Sequence, residues 1–157
     1  MLNINSILGN IFKDTSLEYA NFEKLIISRI DLEKRILRKK TNLGTDIGIN
    51  LNSSTKLQHG DIIGNDKTKI IVEQMPEKVI SVKLKENDEK IAILLGHIIG
   101  NRHRPIAIKD KMILFPIQED SELEIFQRLL KEIIDHIELK IEEEIFLPHT
   151  SADVHEH

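Results

Sequence analysis

The chain has 157 residues, which is enough for one domain of ordinary size or two small ones. Hydrophobic residues make up 40% of it but aromatic residues only 4%, so its core must be built mainly from isoleucine and leucine. The net charge of −4 gives no general attraction to nucleic acid or to an anionic membrane. Because cysteine is absent, disulfides, thiolate zinc sites and iron–sulfur clusters are excluded, and any metal must be held by His, Asp or Glu.

Neither a secretory signal nor a membrane span is predicted. The first five residues lack the basic start and the long apolar run of a signal peptide. The longest apolar segment, residues 91–99, is interrupted by Gly96 and His97 and is too short to cross a bilayer. We therefore expect a cytoplasmic protein with no membrane or nucleic-acid partner.

Residues 1–76 alternate short apolar runs with turn-forming residues. The runs at residues 47–51, 62–63 and 70–72 lie between glycines and polar clusters, and runs bounded in this way are typical of strands. This pattern predicts a small, antiparallel, all-β N-terminal domain. Residues 22–37 fit a helix as well as strands, and strands are preferred there.

Residues 77–147 have a more regular pattern. Apolar and polar residues alternate over residues 78–85, which predicts a half-buried strand. Either Asn87 or Asp88 can then cap a helix, and Gly100 is well placed to end it.

Four further elements complete this half of the chain. Residues 105–109 and 112–115 are predicted to be short strands joined by a tight turn. The Ser121-x-x-Glu124 pattern is a capping box and predicts a second helix, whose apolar stripe extends to Ile137. Residues 139–147 are predicted to form the last strand. The order βαββαβ is that of a ferredoxin-like domain, so the fold class is α+β.

No enzyme motif is present in the sequence. It contains no G-x-S-x-G, no glycine-rich phosphate loop and no H-E-x-x-H. A pair of carboxylates brought together by the fold stays possible, but nothing in the spacing of the acidic residues favours one.

Three of the seven histidines have simple structural interpretations. His59 lies in a predicted turn and is expected to be exposed. His136 lies at the end of the second predicted helix, where a cation is favourable. His149 follows Pro148, at the start of a polar tail that comprises residues 148–157 and is expected to be mobile.

The other four histidines are candidate metal ligands. His97 lies beside the apolar stripe of the first helix, and a partly buried structural histidine is the preferred interpretation. His103 lies in the loop between that helix and Pro105, a suitable place for a surface ligand. His155 and His157 form an H-x-H motif in the tail, which is a weak signal by itself.

The segment around His103 resembles a known motif. The run Gly100-Asn101-Arg102-His103 is similar to the G-N-R-H segment of the urease accessory protein UreE family. The first half of the chain resembles the same family at residues 32–38, in Gly44-Thr45-Asp46-Ile47 and in residues 57–62. Together with the histidine-bearing tail, the resemblance covers nearly the whole chain in the order found in the family.

This resemblance implies a nickel metallochaperone and not an enzyme. It implies that His103 is the main metal ligand, that two such histidines share one Ni(II) across the two-fold axis of a homodimer, and that His155 and His157 complete or regulate the site. His97 is then a weak ligand or a residue that supports one. Zn(II) or Cu(II) can bind as well, because imidazole suits all three ions.

The resemblance also implies a division of roles along the chain. Residues 1–76 are expected to bind partner proteins, residues 77–147 to dimerise and hold metal, and residues 148–157 to supply tail histidines. The implied partners are the urease accessory GTPase and the urease apoprotein complex. Some relatives carry extra histidines on the strand after G-N-R-H, but residues 112–116 have none, so one site per dimer is expected.

Two other functions stay open at this point. The chain could be a chaperone-like protein-binding module of the urease assembly complex, with incidental metal binding, whose β-domain binds extended segments by strand addition. A small metal-dependent hydrolase is a weaker alternative, because such enzymes keep about three rigid ligands. Here only His103 is a candidate on rigid structure.

Overall fold

The structure is a computed structural model that describes residues 1–149. It confirms the α+β class and divides the chain into two compact units, Met1–Met75 and Pro76–His157. No helix among the described residues is long and apolar enough to cross a membrane.

The first unit consists of short strands and one short helix. In chain order these are β1 (Leu2–Ile4), β2 (Gly9–Asn10), β3 (Glu23–Ile27), α1 (Arg29–Leu32), β4 (Ile36–Lys40), β5 (Asp46–Asn50), β6 (Asp61–Gly64) and β7 (Lys69–Gln74). They form a three-stranded sheet in the order β1-β5-β4 and a four-stranded sheet in the order β2-β6-β7-β3. One aliphatic core fills this unit, and Leu25, Ile47, Ile63 and Ile70 in it are fully buried.

Two pairings in this unit are parallel, so the prediction of an antiparallel domain is wrong in this respect. β1 pairs with β5, and β3 pairs with β7, in parallel register. The hairpin neighbours β4–β5 and β6–β7 are antiparallel, as expected for short connections. Turn residues reveal only which neighbouring strands are joined, so these longer-range pairings leave no local signal.

The ambiguous segment, residues 22–37, contains both kinds of element. β3 and the start of β4 are strands, but α1 lies between them. The side chain of Ser28 caps α1 by accepting a hydrogen bond from the backbone N–H of Asp31. The preference for strands alone is therefore wrong over this single helical turn.

The second unit has one four-stranded antiparallel sheet. Its elements are β8 (Glu77–Leu84), α2 (Glu89–Gly100), β9 (Ala107–Lys109), β10 (Met112–Pro116), α3 (Glu122–Leu129), a 3-10 helix (Lys131–His136) and β11 (Ile137–Glu144). The sheet order is β11-β8-β10-β9. One face of the sheet is covered by apolar residues of the helices, and Leu95, Phe115 and Phe126 lie in this core.

The first helix of this unit, α2, has the N-cap and the end that the sequence predicted. Its N-cap is Asp88, whose carboxylate accepts hydrogen bonds from the N–H groups of Lys90 and Ile91. The helix ends at Gly100, as predicted.

The second helix is shorter than predicted and is capped differently. Ser121 makes no side-chain capping bond, so the Ser121-x-x-Glu124 capping box is not formed. The helix stops at Leu129 and continues as a 3-10 helix, and Ile137 begins β11 instead of extending the helical stripe. Buried Leu130 and Ile133 keep the apolar spacing of a helix through this change, which explains the error.

Candidate metal-binding turn

His103, the main predicted metal ligand, lies in the turn that closes α2. The N–H of Asn101 donates to the carbonyl of His97 at 3.1 Å, which is the last helical hydrogen bond. The N–H of Arg102 then donates to Ile99, and the N–H of His103 to Gly100, at 3.0 and 3.1 Å. These two tighter bonds turn the chain away from the helix axis.

His103 is the left-handed residue of this turn. Its φ is 53°, a region that residues other than glycine rarely adopt, and its side chain is exposed. Gly100, by contrast, keeps a helical backbone as the last residue of α2. The sequence therefore predicted where the helix ends, but the unusual conformation belongs to the histidine and not to the glycine.

Arg104 fixes the chain immediately after His103. Its Nη1 donates to the carbonyl of Pro116 at 2.9 Å, and its Nη2 donates to the carboxylate of Glu122 at 2.5 Å. The guanidinium also lies over the ring of Phe126, with Cζ 5.2 Å from the ring centroid. Three contacts thus tie the residue next to His103 to the end of β10 and to α3.

The Glu122 carboxylate is the acidic partner in these contacts, and we call the Arg104–Glu122 pair the clamp. Its second oxygen accepts hydrogen bonds from the N–H groups of Gln118 and Glu119, at 2.6 and 3.3 Å. Burial acts to raise the pKa of Glu122, but the bonds from Gln118, Arg104 and Glu119 outweigh it, so this pKa lies below its ordinary value. Glu122 is therefore ionised at neutral pH and takes the place of the predicted capping box at the start of α3.

His97 is exposed on α2, so the prediction of a partly buried histidine is wrong. Its Nε2 lies 3.3 Å from the side-chain amide nitrogen of Asn101, one turn further along. With Nε2 engaged in this way, a metal ion at His97 would have to bind at Nδ1 or displace Asn101.

The segment after β11 returns to this region. The last strand runs from Ile137 to Glu144 rather than over residues 139–147. Phe146 is then buried against Val79 and Leu114, on the face of the sheet opposite the helices. The N–H of His149 donates to the carbonyl of Ile106 at 2.7 Å. The chain therefore crosses the sheet and reaches a residue three positions beyond His103.

The remaining candidate ligands are the two histidines of the H-x-H motif. His155 and His157 lie outside the described residues. Within residues 1–149, no three His, Cys, Asp or Glu side chains form a group that could hold a metal ion.

Two other histidines have structural surroundings of their own. His59 is half-buried and not simply exposed, because its Nδ1 accepts a hydrogen bond from the N–H of Gln74 at 3.1 Å. Its ring lies 5.3 Å from that of Phe12. His136 is exposed at the end of the 3-10 helix, and its carbonyl accepts from the N–H of Lys85.

Sequence reasoning missed the clamp on the turn. Arg104 and Glu122 are 18 positions apart, and neither belongs to a motif that suggests their pairing. The only local sign was the position of Arg104, between a candidate ligand and a proline, where the backbone is restricted.

The fold and this turn define a two-unit α+β protein that presents one histidine on a clamped, exposed turn. Residues 4–74 match the model of the UreE urease accessory protein, N-terminal domain. A protein named urease accessory protein UreE from Streptococcus vestibularis is 30% identical over 148 residues, which cover 94% of this chain and 95% of that protein. One of the same name from Staphylococcus epidermidis is 38% identical over 135 residues, covering 83% of each.

The chain therefore belongs to the urease accessory protein UreE family. The resemblance found in the sequence is confirmed. The family is named for an accessory role to urease, so the chain is an accessory protein and not an enzyme.

Proposed function

We propose that the chain is a urease accessory nickel metallochaperone, which binds Ni(II) at a homodimer interface and delivers it for assembly of the urease active site. Its partners in this role are the urease accessory GTPase and the urease apoprotein complex. The observation that carries the proposal is His103, an exposed imidazole on a turn that Arg104 clamps to the body of the second unit.

Neutral imidazoles supply the ligands in this proposal. His103 of each protomer binds the ion across the two-fold axis, while His155 and His157 complete or regulate the site. Imidazole also suits Zn(II) and Cu(II), so these ions compete with nickel. A site made of histidines takes up protons and releases its metal as the pH falls, which suits an ion that has to be delivered.

The chain that follows His149 is long enough to bring the tail histidines to the turn. His149 is hydrogen-bonded to Ile106, and His155 follows it by six residues. Six residues can span about 20 Å. This length supports a role for His155 and His157 near His103. His97 is either a weak metal ligand or, through its contact with Asn101, a residue that holds a ligand in place.

The two units have different roles in this proposal. Residues 1–76 form a β-rich domain that binds partner proteins. Residues 77–147 form a ferredoxin-like domain that dimerises and holds the metal. The sheet order β11-β8-β10-β9 with two helices on one face supports the second assignment. Residues 148–157 act as the histidine-bearing tail.

A calorimetric titration with Ni(II) tests the metal ligand. The His103→Ala variant is expected to lose the tight site, while His136→Ala is a matched control because His136 is also an exposed histidine of the second unit. Unchanged affinity and stoichiometry in His103→Ala would overturn the assignment.

A second titration tests the tail. Removal of residues 152–157 is expected to weaken nickel binding while the protein remains a dimer in sedimentation analysis. A monomeric truncated protein would contradict the proposed division of roles.

A further inference from the structure

The chain that follows β11 crosses the sheet of the second unit from one edge to the other. β11 lies at one edge of the order β11-β8-β10-β9, and it ends at Glu144. Five residues later, the N–H of His149 donates to the carbonyl of Ile106, the residue before β9 at the opposite edge. Three strand spacings amount to about 14 Å, and five residues can span about 17 Å at most. The crossing is therefore nearly extended and has little slack.

Phe146 holds the middle of this crossing. Its side chain is 1% exposed and packs with Val79 of β8, Leu114 of β10 and Ala107 of β9. Phe146 is the bulkiest member of this small cluster, and aromatic side chains bury large apolar areas. The ring therefore anchors the crossing to three strands of the sheet, on the face opposite the helices.

The anchor fixes the point from which the tail histidines start. Ile106, to which the crossing is tied, lies only three positions beyond His103. His155 is six residues from His149 but eleven from Glu144. A released crossing would make this tether almost twice as long and would start it at the far edge of the sheet. The effective concentration of a tethered group falls with about the 3/2 power of the tether length, or more steeply.

We propose that Phe146 is a positioning residue of the nickel site. By anchoring the crossing, it starts the tail beside the turn that carries His103, and it thereby raises the effective concentration of His155 and His157 at that turn. Phe146 contacts no metal in this role and acts only through the place where the tail begins. The inference rests on the proposed function, from which it takes the tail histidines as ligands.

Calorimetric titration with Ni(II) in two lengths of chain separates positioning from a merely structural role. In the full-length protein, Phe146→Ala is expected to weaken nickel binding at least about threefold, because the tether lengthens and its origin moves away. In the protein that lacks residues 152–157, the same substitution is expected to have no effect. Phe146→Leu keeps an apolar anchor and should recover most of the affinity. An equal loss in both lengths of chain would overturn the inference.

Two control variants are matched to Phe146. Leu147 is its neighbour and is 54% exposed, so Leu147→Ala should leave the nickel affinity unchanged. Ile137 is 3% exposed and packs in the core between the sheet and the helices, so Ile137→Ala lowers Tm without touching the crossing. If Ile137→Ala weakened nickel binding as much as Phe146→Ala, the loss would reflect lower stability and would contradict a positioning role.

A spin label tests the placement of the tail without any metal. The chain contains no cysteine, so Ser151→Cys provides a single site for a nitroxide label. In the metal-free, full-length protein, the label is expected to broaden the amide NMR signals of Arg102 and His103. Phe146→Ala is expected to remove most of this broadening. Signals that are not broadened by the label, or are broadened equally in Phe146→Ala, would overturn the inference.

The two kinds of measurement distinguish this inference from the proposed function. A wild-type protein that binds no nickel, or binds it equally tightly without residues 152–157, would contradict the proposed function of the tail. The spin label would still decide whether Phe146 places the tail beside the turn. Nickel binding that depends on the tail but not on Phe146 would contradict the anchor alone.

Discussion

Arg104 and Glu122 form a clamp between the end of the candidate metal-binding turn and the first turn of α3. The guanidinium Nη2 lies 2.5 Å from the carboxylate, and both side chains are largely buried, with exposures of 27% and 17%. Because Arg104 follows His103 directly, this pair fixes the backbone position from which the imidazole of His103 projects. A metal ligand that is held in position in this way would lose little conformational entropy on binding.

Replacement of Glu122 by glutamine is expected to lower the free energy of unfolding at neutral pH by about 1–2 kcal/mol, because one partner of a charge-assisted hydrogen bond is lost. The lowered pKa of Glu122 fixes the pH dependence. The difference from wild type should be fully present above about pH 5, where the unfolded carboxyl is already ionised, and should shrink as the pH falls through the folded-state pKa.

Urea unfolding between pH 3 and pH 7 measures this difference. Glu124→Gln is the matched control, since Glu124 is an exposed glutamate of the same helix, and its effect is expected to be small. A difference for Glu122→Gln that grows on acidification would have the wrong sign for the clamp described here.

Loss of the arginine in the clamp should affect nickel binding without removing any ligand. Arg104→Ala is expected to weaken Ni(II) binding about tenfold, within the range found when residues that orient metal ligands are changed. Calorimetry provides the affinity, and circular dichroism establishes that the fold is retained. Arg128→Ala, at an exposed position on α3, should leave the affinity unchanged. Equal affinities for both variants would show that the clamp does not position His103.

The backbone of His103 allows a prediction in which stability and binding change in opposite directions. A residue other than glycine at φ 53° costs about 1 kcal/mol, so His103→Gly should be as stable as wild type or more stable, yet lose the tight nickel site. Asp110 has the same conformation, with φ 54°, in the turn between β9 and β10. Asp110→Gly should gain stability in the same way and keep nickel binding.

Thermal unfolding and nickel titration of these two variants check the prediction. Retained nickel affinity in His103→Gly would exclude His103 as the ligand. Lowered stability in His103→Gly with raised stability in Asp110→Gly would indicate that the imidazole makes a contact whose value exceeds the backbone strain.

The parts of the fold that the sequence predicted are those with local causes. Asp88 caps α2 through N–H groups two and three residues away, and Gly100 ends the helix where the apolar stripe stops. The hairpin between β9 and β10 also follows from its turn residues. Each of these features is decided within a few positions, so one sequence is sufficient to find it.

The parts that escaped prediction depend on distant residues. The clamp joins positions 104 and 122, and the return of the chain over the sheet joins His149 to Ile106. The parallel pairing of β1 with β5 likewise joins segments more than forty residues apart. For the site, the sequence indicated His103 through a family motif, but the left-handed conformation of its backbone required the structure.

His59 provides a test that separates structural histidines from metal ligands. Its Nδ1 accepts a hydrogen bond from the N–H of Gln74, a residue only 4% exposed, so replacement of the imidazole removes a hydrogen bond at a buried position. His59→Ala is expected to lower the free energy of unfolding by about 1–3 kcal/mol. His59→Asn offers a side-chain oxygen near the same place and should recover part of that loss, as measured by urea unfolding.

Both variants should bind nickel with wild-type stoichiometry, because His59 belongs to the first unit and not to the turn that carries His103. Equal destabilisation by alanine and asparagine would mean that the contact with Phe12, and not the hydrogen bond, is what His59 contributes.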